Sequence, residues 1–247
     1  MKTCLLVLLP LLFILPGSAH AAIAYDNSIA VDPGTNLSTS YSTSFTNTAG
    51  NALVVAVWTR YASAYTKPTS VTYNGVALTY LADYNDGAAD YKDVSFWGLA
   101  SPATGANTLT VNLTGTSIRN AVMAVSLTGA AASPFGAVGG GGASSASSGS
   151  FSVTTTAANS WIVGAESDDG GTAATVTGTN QTLRASVVAA GGYSNTISTQ
   201  TTTSTGSYTN SWNFSATGAW AGGGVEVKEA TAAVGGGLVP LWRAFWF

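Results

Sequence analysis

Apolar and polar residues alternate with a period of two through almost the whole chain, and a helical period is nearly absent. Such alternation is the pattern of strands that bury one face and expose the other. Turn-forming pairs interrupt it at short intervals, for example Asn74-Gly75, Asp86-Gly87 and Asp169-Gly170. The sequence therefore predicts an all-β protein, specifically a two-sheet antiparallel β-sandwich that is jelly-roll-like.

The predicted strands fall into two successive sets that resemble each other in order. The strand that starts at Asn51 matches the strand that starts at Asn159, and Val71-Thr72 matches Val176-Thr177. Val125-Ser126-Leu127 near the end of the first set also matches Val225-Glu226-Val227 near the end of the second. We interpret this repeated order as a weak internal duplication.

A Gly- and Ser-rich stretch at residues 137–149 separates the two halves, residues 22–136 and 150–230. This composition suits either a flexible linker between two small sandwiches or a long crossover within one larger sandwich. Each half is short for an independent sandwich, so we expect one domain over residues 22–230.

The first residues have the three parts of a secretory signal peptide. Lys2 supplies the positive charge, residues 4–15 form an apolar run, and Ala19-His20-Ala21 fits the small-x-small cleavage pattern. We predict a signal peptide over residues 1–21 and a secreted protein, extracellular or at the cell surface of a bacterium-like cell. The apolar run is shorter than the ~20 residues of a spanning helix, so no transmembrane segment is expected in the mature chain.

Cleavage after Ala21 would remove Cys4 and His20, the single Cys and the single His of the chain. The mature chain would then lack disulfides, zinc or copper sites built on thiolate or imidazole, and catalysis by Ser-His-Asp or Cys-His groups. Carboxylates, Tyr, Lys and Arg remain as catalytic groups. Charged residues make up 8% of the chain and the formal net charge is −3, which predicts no binding of nucleic acid.

Several runs of residues are distinctive: AYDNS from Ala24, VTYNGVALTYLA from Val71, PATGANTLTVNLTG from Pro102 and AVMAVSLTGA from Ala121. Together with Trp97, they resemble a widespread, mostly unannotated class of secreted bacterial β-sandwich domains found in surface and carbohydrate-active proteins. The resemblance covers nearly all of residues 23–230. It implies a fold and a location, and it brings no catalytic residues with it.

Tyrosine and aspartate residues are concentrated between Arg60 and Asp93. Sugars have apolar faces that stack on aromatic rings and hydroxyls that need Asp or Asn partners, so this region is a candidate carbohydrate site for a polysaccharide or a cell-surface glycan. The alternative is a set of ordinary strand-flanking tyrosines beside a solvated loop. The candidate ligand-binding residues are Tyr61, Tyr65, Tyr84, Asn85 and Tyr91.

The same region contains a cluster of hard oxygen ligands around Gly87. Its candidate metal ligands are Asp83, Asn85, Asp86 and Asp90. An extracellular calcium site uses six to eight oxygens of this kind, with a glycine at the sharp turn. The spacing is one residue short of an EF-hand loop and the closing Glu is absent, so a hairpin turn kept soluble by its Asp residues is the alternative.

Three functions remain open for the mature chain. We favour a non-catalytic binding module, most plausibly for carbohydrate. The second is a structural surface or matrix protein that self-associates through residues 231–247, a Gly-rich linker followed by an aromatic tail. The third is a carboxylate-dependent glycosidase or lyase that pairs Glu166 with Glu226, because such enzymes need two carboxyl groups beside a groove.

Overall fold

The computed structural model describes residues 21–37, 39–87 and 91–231, and it confirms an all-β antiparallel fold within them. Residues 1–20 of the predicted signal peptide, the tail after Thr231 and Asp90 lie outside these ranges. Across the described residues, no helix is long and apolar enough to span a membrane. The strands are β1 (Ala24–Val31), β2 (Thr35–Leu37), β3 (Ser40–Asn47), β4 (Ala52–Arg60), β5 (Ser70–Tyr73), β6 (Val76–Ala77), β7 (Thr79–Asn85), β8 (Lys92–Ala100), β9 (Gly105–Asn112), β10 (Ser117–Thr128), β11 (Ala130–Thr155), β12 (Trp161–Asp168), β13 (Thr175–Val176), β14 (Gln181–Ala189), β15 (Tyr193–Thr201) and β16 (Gly206–Glu229).

The described strands form three antiparallel sheets. Sheet 1 has the order β1-β10-β4-β8-β7, with β2 paired to β10, and sheet 2 has the order β3-β9-β5-β6. Sheet 3 has the order β11-β16-β12-β15-β14, with β13 paired to β16. The distal parts of β11 and β16 (residues 148–155 and 206–213) fold over sheet 3, where Phe151 and Trp212 pack against Ile162.

Each half of the chain therefore forms a two-sheet sandwich of its own, although the sequence suggested that each half was too short for an independent sandwich. The first repeat (residues 24–128) packs sheet 1 against sheet 2. The second repeat (residues 130–229) packs sheet 3 against the distal parts of β11 and β16 together with β13. The orders of sheets 1 and 3 coincide strand for strand, as an internal duplication requires. The second repeat begins at Ala130, earlier than the boundary expected at residue 150.

The central strands of the two repeats, β4 and β12, are equivalent in the structure, but their residue-by-residue match differs by one position from the match made in the sequence. The sequence pairs Asn51 with Asn159, whereas the backbone hydrogen bonds to the neighbouring strand place Asn51 in register with Ser160. Leu53 of β4 therefore corresponds to Ile162 of β12, and both side chains face the inside of their own sandwich. Because side chains alternate along a strand, a one-residue error assigns every side chain to the wrong face.

The two repeats pack face to face through a hydrophobic core between sheets 1 and 3. Its fully buried members include Phe96 and Ile197, and burial of each such side chain contributes about 2 kcal/mol. An ion pair also crosses this interface. The fully buried Lys92 donates to the carboxylate of Asp169 and, at 3.1 Å, to the carbonyl oxygen of Ala219.

The Gly- and Ser-rich residues 137–149 lie within strand β11, where the sequence suggested a linker or a crossover. Glycine is required at Gly140 and Gly142 because the edge strand β7 of the first repeat packs directly on β11 at these positions. A Cβ atom at Gly140 would lie 2.3 Å from the ring of Tyr84, and one at Gly142 would lie 2.3 Å from the carbonyl oxygen of Asn85. A stretch with the composition of a flexible linker is therefore part of a strand, and Gly140 and Gly142 within it are in close contact with β7.

Candidate functional site

The structure separates the tyrosines that the sequence placed in one carbohydrate site. The ring of Tyr84 packs between the repeats, against Phe96 and the backbone of Gly140. Tyr61 is 9% exposed and therefore nearly inaccessible. Tyr84 and Tyr61 have packing roles, because a ligand could not reach their faces without displacing neighbouring residues.

Tyr65, Tyr91 and Asp86 do lie together. The rings of Tyr65 and Tyr91 meet edge to face with centroids 5.5 Å apart, and the Tyr65 hydroxyl donates to Asp86 at 2.9 Å. Tyr65 is 37% exposed, so its ring is available to solvent. Asn85 is exposed nearby and accepts a hydrogen bond from the backbone N–H of Gly87. Three of the five predicted ligand-binding residues, Tyr65, Asn85 and Tyr91, therefore remain in one region.

The predicted calcium ligands are also divided. Asp83 and Asn85 share one face of β7, because residues two apart on a strand project to the same side. Asp86 follows the strand and is buried, where it accepts the hydrogen bond from Tyr65. Asp90 lies outside the described residues. Among the residues that the structure describes, no group of three His, Cys, Asp or Glu side chains could hold a metal ion.

A polar cleft of about 390 Å³ opens on the second repeat, away from the region that the sequence singled out. It is lined by residues 177–180, residues 207–209, Ser211 and Gln200. These residues provide hydroxyls, amides, backbone groups and one aromatic ring, that of the half-exposed Tyr208. None of the described residues that line the cleft is charged, so it suits a neutral polar ligand.

The cleft exists because the outer layer of the second repeat is shorter than sheet 2 of the first. In the first repeat, β5 pairs with β9 along residues 70–73, and the fully buried Tyr73 ends that pairing. In the second repeat, β13 pairs with β16 over two residues only, and the register places Gly178 where Tyr73 stands. The pairing with β16 then ends, and the cleft opens beside this point.

Beyond the short pairing of β13 with β16, two glutamine side chains make hydrogen bonds to the backbone of β16. Gln181 accepts from the backbone N–H of Ser211 at 3.0 Å, and Gln200 donates to the carbonyl oxygen of Thr209 at 3.0 Å. Gln200 is buried and also accepts from Asn210 at 2.8 Å. Because these groups are fixed by a buried polar network, the floor of the cleft is rigid before any ligand arrives.

Tyr208 is held at the rim of the cleft by its own hydroxyl. That hydroxyl donates to the carbonyl oxygen of Ser204 at 2.9 Å and accepts from the backbone N–H of Ser204 at 3.3 Å. Hydrogen bonding from Ser204 lowers the pKa of Tyr208. The phenol group is therefore occupied, and the ring face is what Tyr208 presents to a ligand. Sequence reasoning missed this cleft. The replacement of Tyr73 by Gly178 between the repeats was the signal that could have revealed it.

The carboxylates Glu166 and Glu226 do not converge. Glu226 lies opposite Ile162 of β12, and Glu166 lies four residues further along that strand. At about 3.3 Å per residue, the two residues are displaced by about 13 Å along the strand direction, in addition to the spacing between the two strands. A glycosidase pair has its carboxyl groups about 5–9.5 Å apart beside a groove, whereas both of these side chains are fully buried.

Glu226 instead fixes the turn between β11 and β12. Its carboxylate accepts from the backbone N–H groups of Ala137, Thr156 and Ala157 at 2.8–3.0 Å, and from the hydroxyls of Thr156 and Ser160. Burial alone would raise the pKa of Glu226, but these hydrogen bonds outweigh burial and hold it below its usual value. Glu226 is therefore an ionised structural group.

Glu166 and Asp168 form a second buried carboxylate group, inside the second repeat. The hydroxyl of Thr196 donates to Glu166 at 2.7 Å. Burial, and then the nearby Asp168, raise the pKa of Glu166 well above its usual value. Burial also raises the pKa of Asp168, against the hydrogen bond from Ser194. The state in which Glu166 and Asp168 share one proton is the most stable one, because two ionised carboxylates in contact repel each other.

We predict that Glu166→Gln makes the protein more tolerant of alkaline pH. A raised pKa in the folded state means that the stability contributed by protonated Glu166 is complete below its unfolded pKa of about 4.3 and is lost as pH rises through the folded value. The Gln variant cannot ionise, so its Tm should approach that of the wild type near pH 4 and exceed it near pH 8. Thermal unfolding across this range tests the prediction, and parallel profiles would contradict it. Glu226→Gln is the matched comparison, because it removes a carboxyl group whose pKa shifts the other way.

No protein-family model matches this chain, and no curated protein matches it.

Proposed function

We propose that this chain is a secreted, non-catalytic carbohydrate-binding module, and that its ligand occupies the cleft beside Tyr208. The observation that carries the proposal is the cleft itself, which is preorganised, polar and free of charged side chains. Its size lies within the ~300–1,000 Å³ of small-ligand sites. Export is supported by the predicted signal peptide, residues 1–21.

The groups that line the cleft match those of a neutral sugar. A sugar ring has equatorial hydroxyls that both donate and accept, and an apolar face of C–H bonds. The hydroxyls of Thr177, Thr179 and Thr209 and the amide of Asn180 can pair with the former, and the ring face of Tyr208 can stack on the latter. An acidic sugar would find no cation there.

Catalysis is not part of the proposal. The cleft has no carboxylate, and a glycosidase needs two. The pair that the sequence suggested, Glu166 and Glu226, is buried and divided between two structural roles. The alternative of assembly through the tail depends on residues 231–247, nearly all of which lie outside the described residues.

Two substitutions in the cleft are predicted to weaken binding of neutral oligosaccharides. Asn180 has a φ of 58°, so Asn180→Gly removes its side chain without backbone strain. Tyr208→Ala removes the stacking surface. We expect each change to raise Kd by about tenfold, which corresponds to about 1.4 kcal/mol. Isothermal titration calorimetry against soluble β-glucan, xylan and galactan oligosaccharides, with polygalacturonate as the acidic comparison, measures the effect.

Tyr65→Ala is the control for this experiment, because it removes the exposed ring of the site that the sequence predicted. Binding that survives Tyr65→Ala and is weakened by Tyr208→Ala places the ligand in the cleft. Binding that is weakened by Tyr65→Ala and survives Tyr208→Ala would instead place the ligand at the tyrosine pair Tyr65 and Tyr91. No saturable binding of any of these sugars at millimolar concentration would contradict the proposed function itself.

A further inference from the structure

Asp93 is a buried carboxyl group, and within the part of the chain that the structure describes no N–H or hydroxyl group donates a hydrogen bond to either of its oxygens. It lies on β8 of the first repeat and is 1% exposed. It also forms no ion pair within 4.0 Å with any Lys or Arg of the described residues. Buried carboxylates in proteins are normally hydrogen-bonded or paired with a cation, because an isolated buried charge is costly. The group that satisfies Asp93 therefore needs to be identified.

Two further oxygen ligands share its face of sheet 1. Asn85 lies directly opposite Asp93 in the β7–β8 pair, and Asp83 lies opposite Ser95, two residues along. Opposite residues, and residues two apart, project to the same side of a sheet, so all three side chains converge. Burial, and then the nearby Asp83, raise the pKa of Asp93 to about 7. The cluster opens to solvent through Asn85 and Asp83, whose side chain is 30% exposed.

Lys67 makes its direct contact with the outer part of the cluster, and its positive charge also opposes the rise in the pKa of Asp93. Its ammonium lies 3.5 Å from one oxygen of Asp83 and 4.7 Å from the centre of the Tyr80 ring, and its side chain is 44% exposed. The Tyr80 hydroxyl donates to the same Asp83 oxygen. Both contacts are made to Asp83, so neither supplies a partner for the inner carboxylate of Asp93.

We propose that Asp83, Asn85 and Asp93 bind a divalent cation, with calcium as the preferred ion. Calcium takes carboxylate and amide oxygens and fills its remaining positions with water, which the open side of the cluster can supply. The ammonium of Lys67 occupies part of this space and leaves when the ion binds. The site retains Asp83 and Asn85 of the ligand set predicted from the sequence, and it substitutes Asp93 for Asp86 and Asp90. It is independent of the proposed carbohydrate cleft.

The first test uses the purified full chain after treatment with EDTA. Added CaCl₂ should raise Tm by about 5 °C, with an apparent Kd of about 10⁻⁴–10⁻³ M as in other extracellular modules. Tb³⁺ gives a second readout, because Trp97 and Tyr80, whose rings are 5.4 Å apart, lie beside the cluster and can sensitise its luminescence. Ca²⁺ should displace bound Tb³⁺.

Variants decide which residues hold the ion. Asp93→Asn should abolish both the Tm response and the saturable Tb³⁺ signal. Asp83→Asn, at a partly exposed position that tolerates substitution better, should raise Kd by about tenfold or more. Lys67→Gln should lower Kd several-fold, because it removes the competing ammonium. Glu229→Gln, on the last strand of the other repeat, is the matched control and should leave both readouts unchanged.

Two results would overturn the proposal. The first is the absence of any calcium-dependent change in Tm together with a Tb³⁺ signal that does not saturate. The second is a calcium response that persists in Asp93→Asn and in Asp83→Asn. An Asp93→Asn protein that is more stable than the wild type near pH 8, in a chain that ignores calcium, would show that the two carboxyl groups share a proton instead.

Discussion

Gly142→Ala is expected to destabilise the protein by about 3 kcal/mol, whereas Gly141→Ala should be close to neutral. A Cβ atom at position 142 would lie 2.3 Å from the carbonyl oxygen of Asn85 and 2.7 Å from that of Trp220. Both oxygens belong to the backbone of paired strands, so no side-chain rotation can relieve the contact. At Gly141, no heavy atom lies within 4 Å of the added carbon.

The two glycines are adjacent on β11, so the pair separates the effect of packing from that of backbone entropy. Replacement of Gly by Ala stabilises by up to about 1 kcal/mol where the backbone conformation is compatible and the site is open. Denaturant unfolding should therefore show a large loss for Gly142→Ala, with Tm lower by about 10 °C, and little change for Gly141→Ala. Equal effects at both positions would contradict the direct packing of β7 on β11.

Glu226→Gln is expected to cost about 3 kcal/mol at neutral pH, although the side chain keeps its size. The carboxylate accepts five hydrogen bonds, from Ala137, Ala157, Ser160 and, twice, Thr156. Gln offers one acceptor oxygen and turns an NH₂ group toward donors. Several buried N–H and O–H groups are then left without partners, which is the costly outcome of such a substitution.

The pH dependence of this loss has a definite sign. Because the pKa of Glu226 is lowered in the folded state, its contribution is complete above the unfolded value of about 4.3 and is lost as pH falls through the folded value. The difference in free energy of unfolding between wild type and Glu226→Gln should therefore shrink in acid. Glu229→Gln, three residues further along β16, is the control and should change stability by less than about 0.5 kcal/mol. A stable Glu226→Gln protein would contradict the structural role assigned to this carboxylate.

In each repeat, a carboxylate accepts hydrogen bonds from the turn that precedes the central strand (β4 or β12), but the two repeats use different residues. In the first repeat, Asp26 of β1 accepts from the backbone N–H groups of Thr48 and Ala49, both at 3.0 Å, and from the hydroxyl of Ser126 at 2.6 Å. Ser126 is the counterpart of Glu226 in the register of the sheets. One repeat thus takes its carboxylate from the edge strand and the other from the strand beside it.

Most of the strands could be predicted from the sequence, with β1 and the first part of β11 as exceptions, and so could the repeated order. Alternation with a period of two is a local property, because neighbouring side chains on a strand must point to opposite faces. The turn pairs that end the strands are also local. For this reason the all-β class, and the match of Val71-Thr72 to Val176-Thr177, could be predicted from the sequence without knowledge of tertiary contacts.

The register between repeats and the meaning of the glycines could not be predicted in this way. Residues 137–149 have the composition of a linker, and only the presence of β7 across the interface explains why Gly140 and Gly142 must lack side chains. The match of Asn51 to Asn159 was one residue out, because similarity of residue type does not record which face a side chain occupies.

The same distinction between local and long-range information applies to the candidate sites. The sequence by itself determined an all-β chain of two similar halves and a region rich in Tyr and Asp. The tertiary structure decided that Tyr84 packs against glycine in place of a ligand, that Asp93 joins Asp83 and Asn85, and that a cleft opens at Gly178. The physical reason is that composition and spacing report local conformation, whereas burial, convergence and open space depend on strands far apart in the chain.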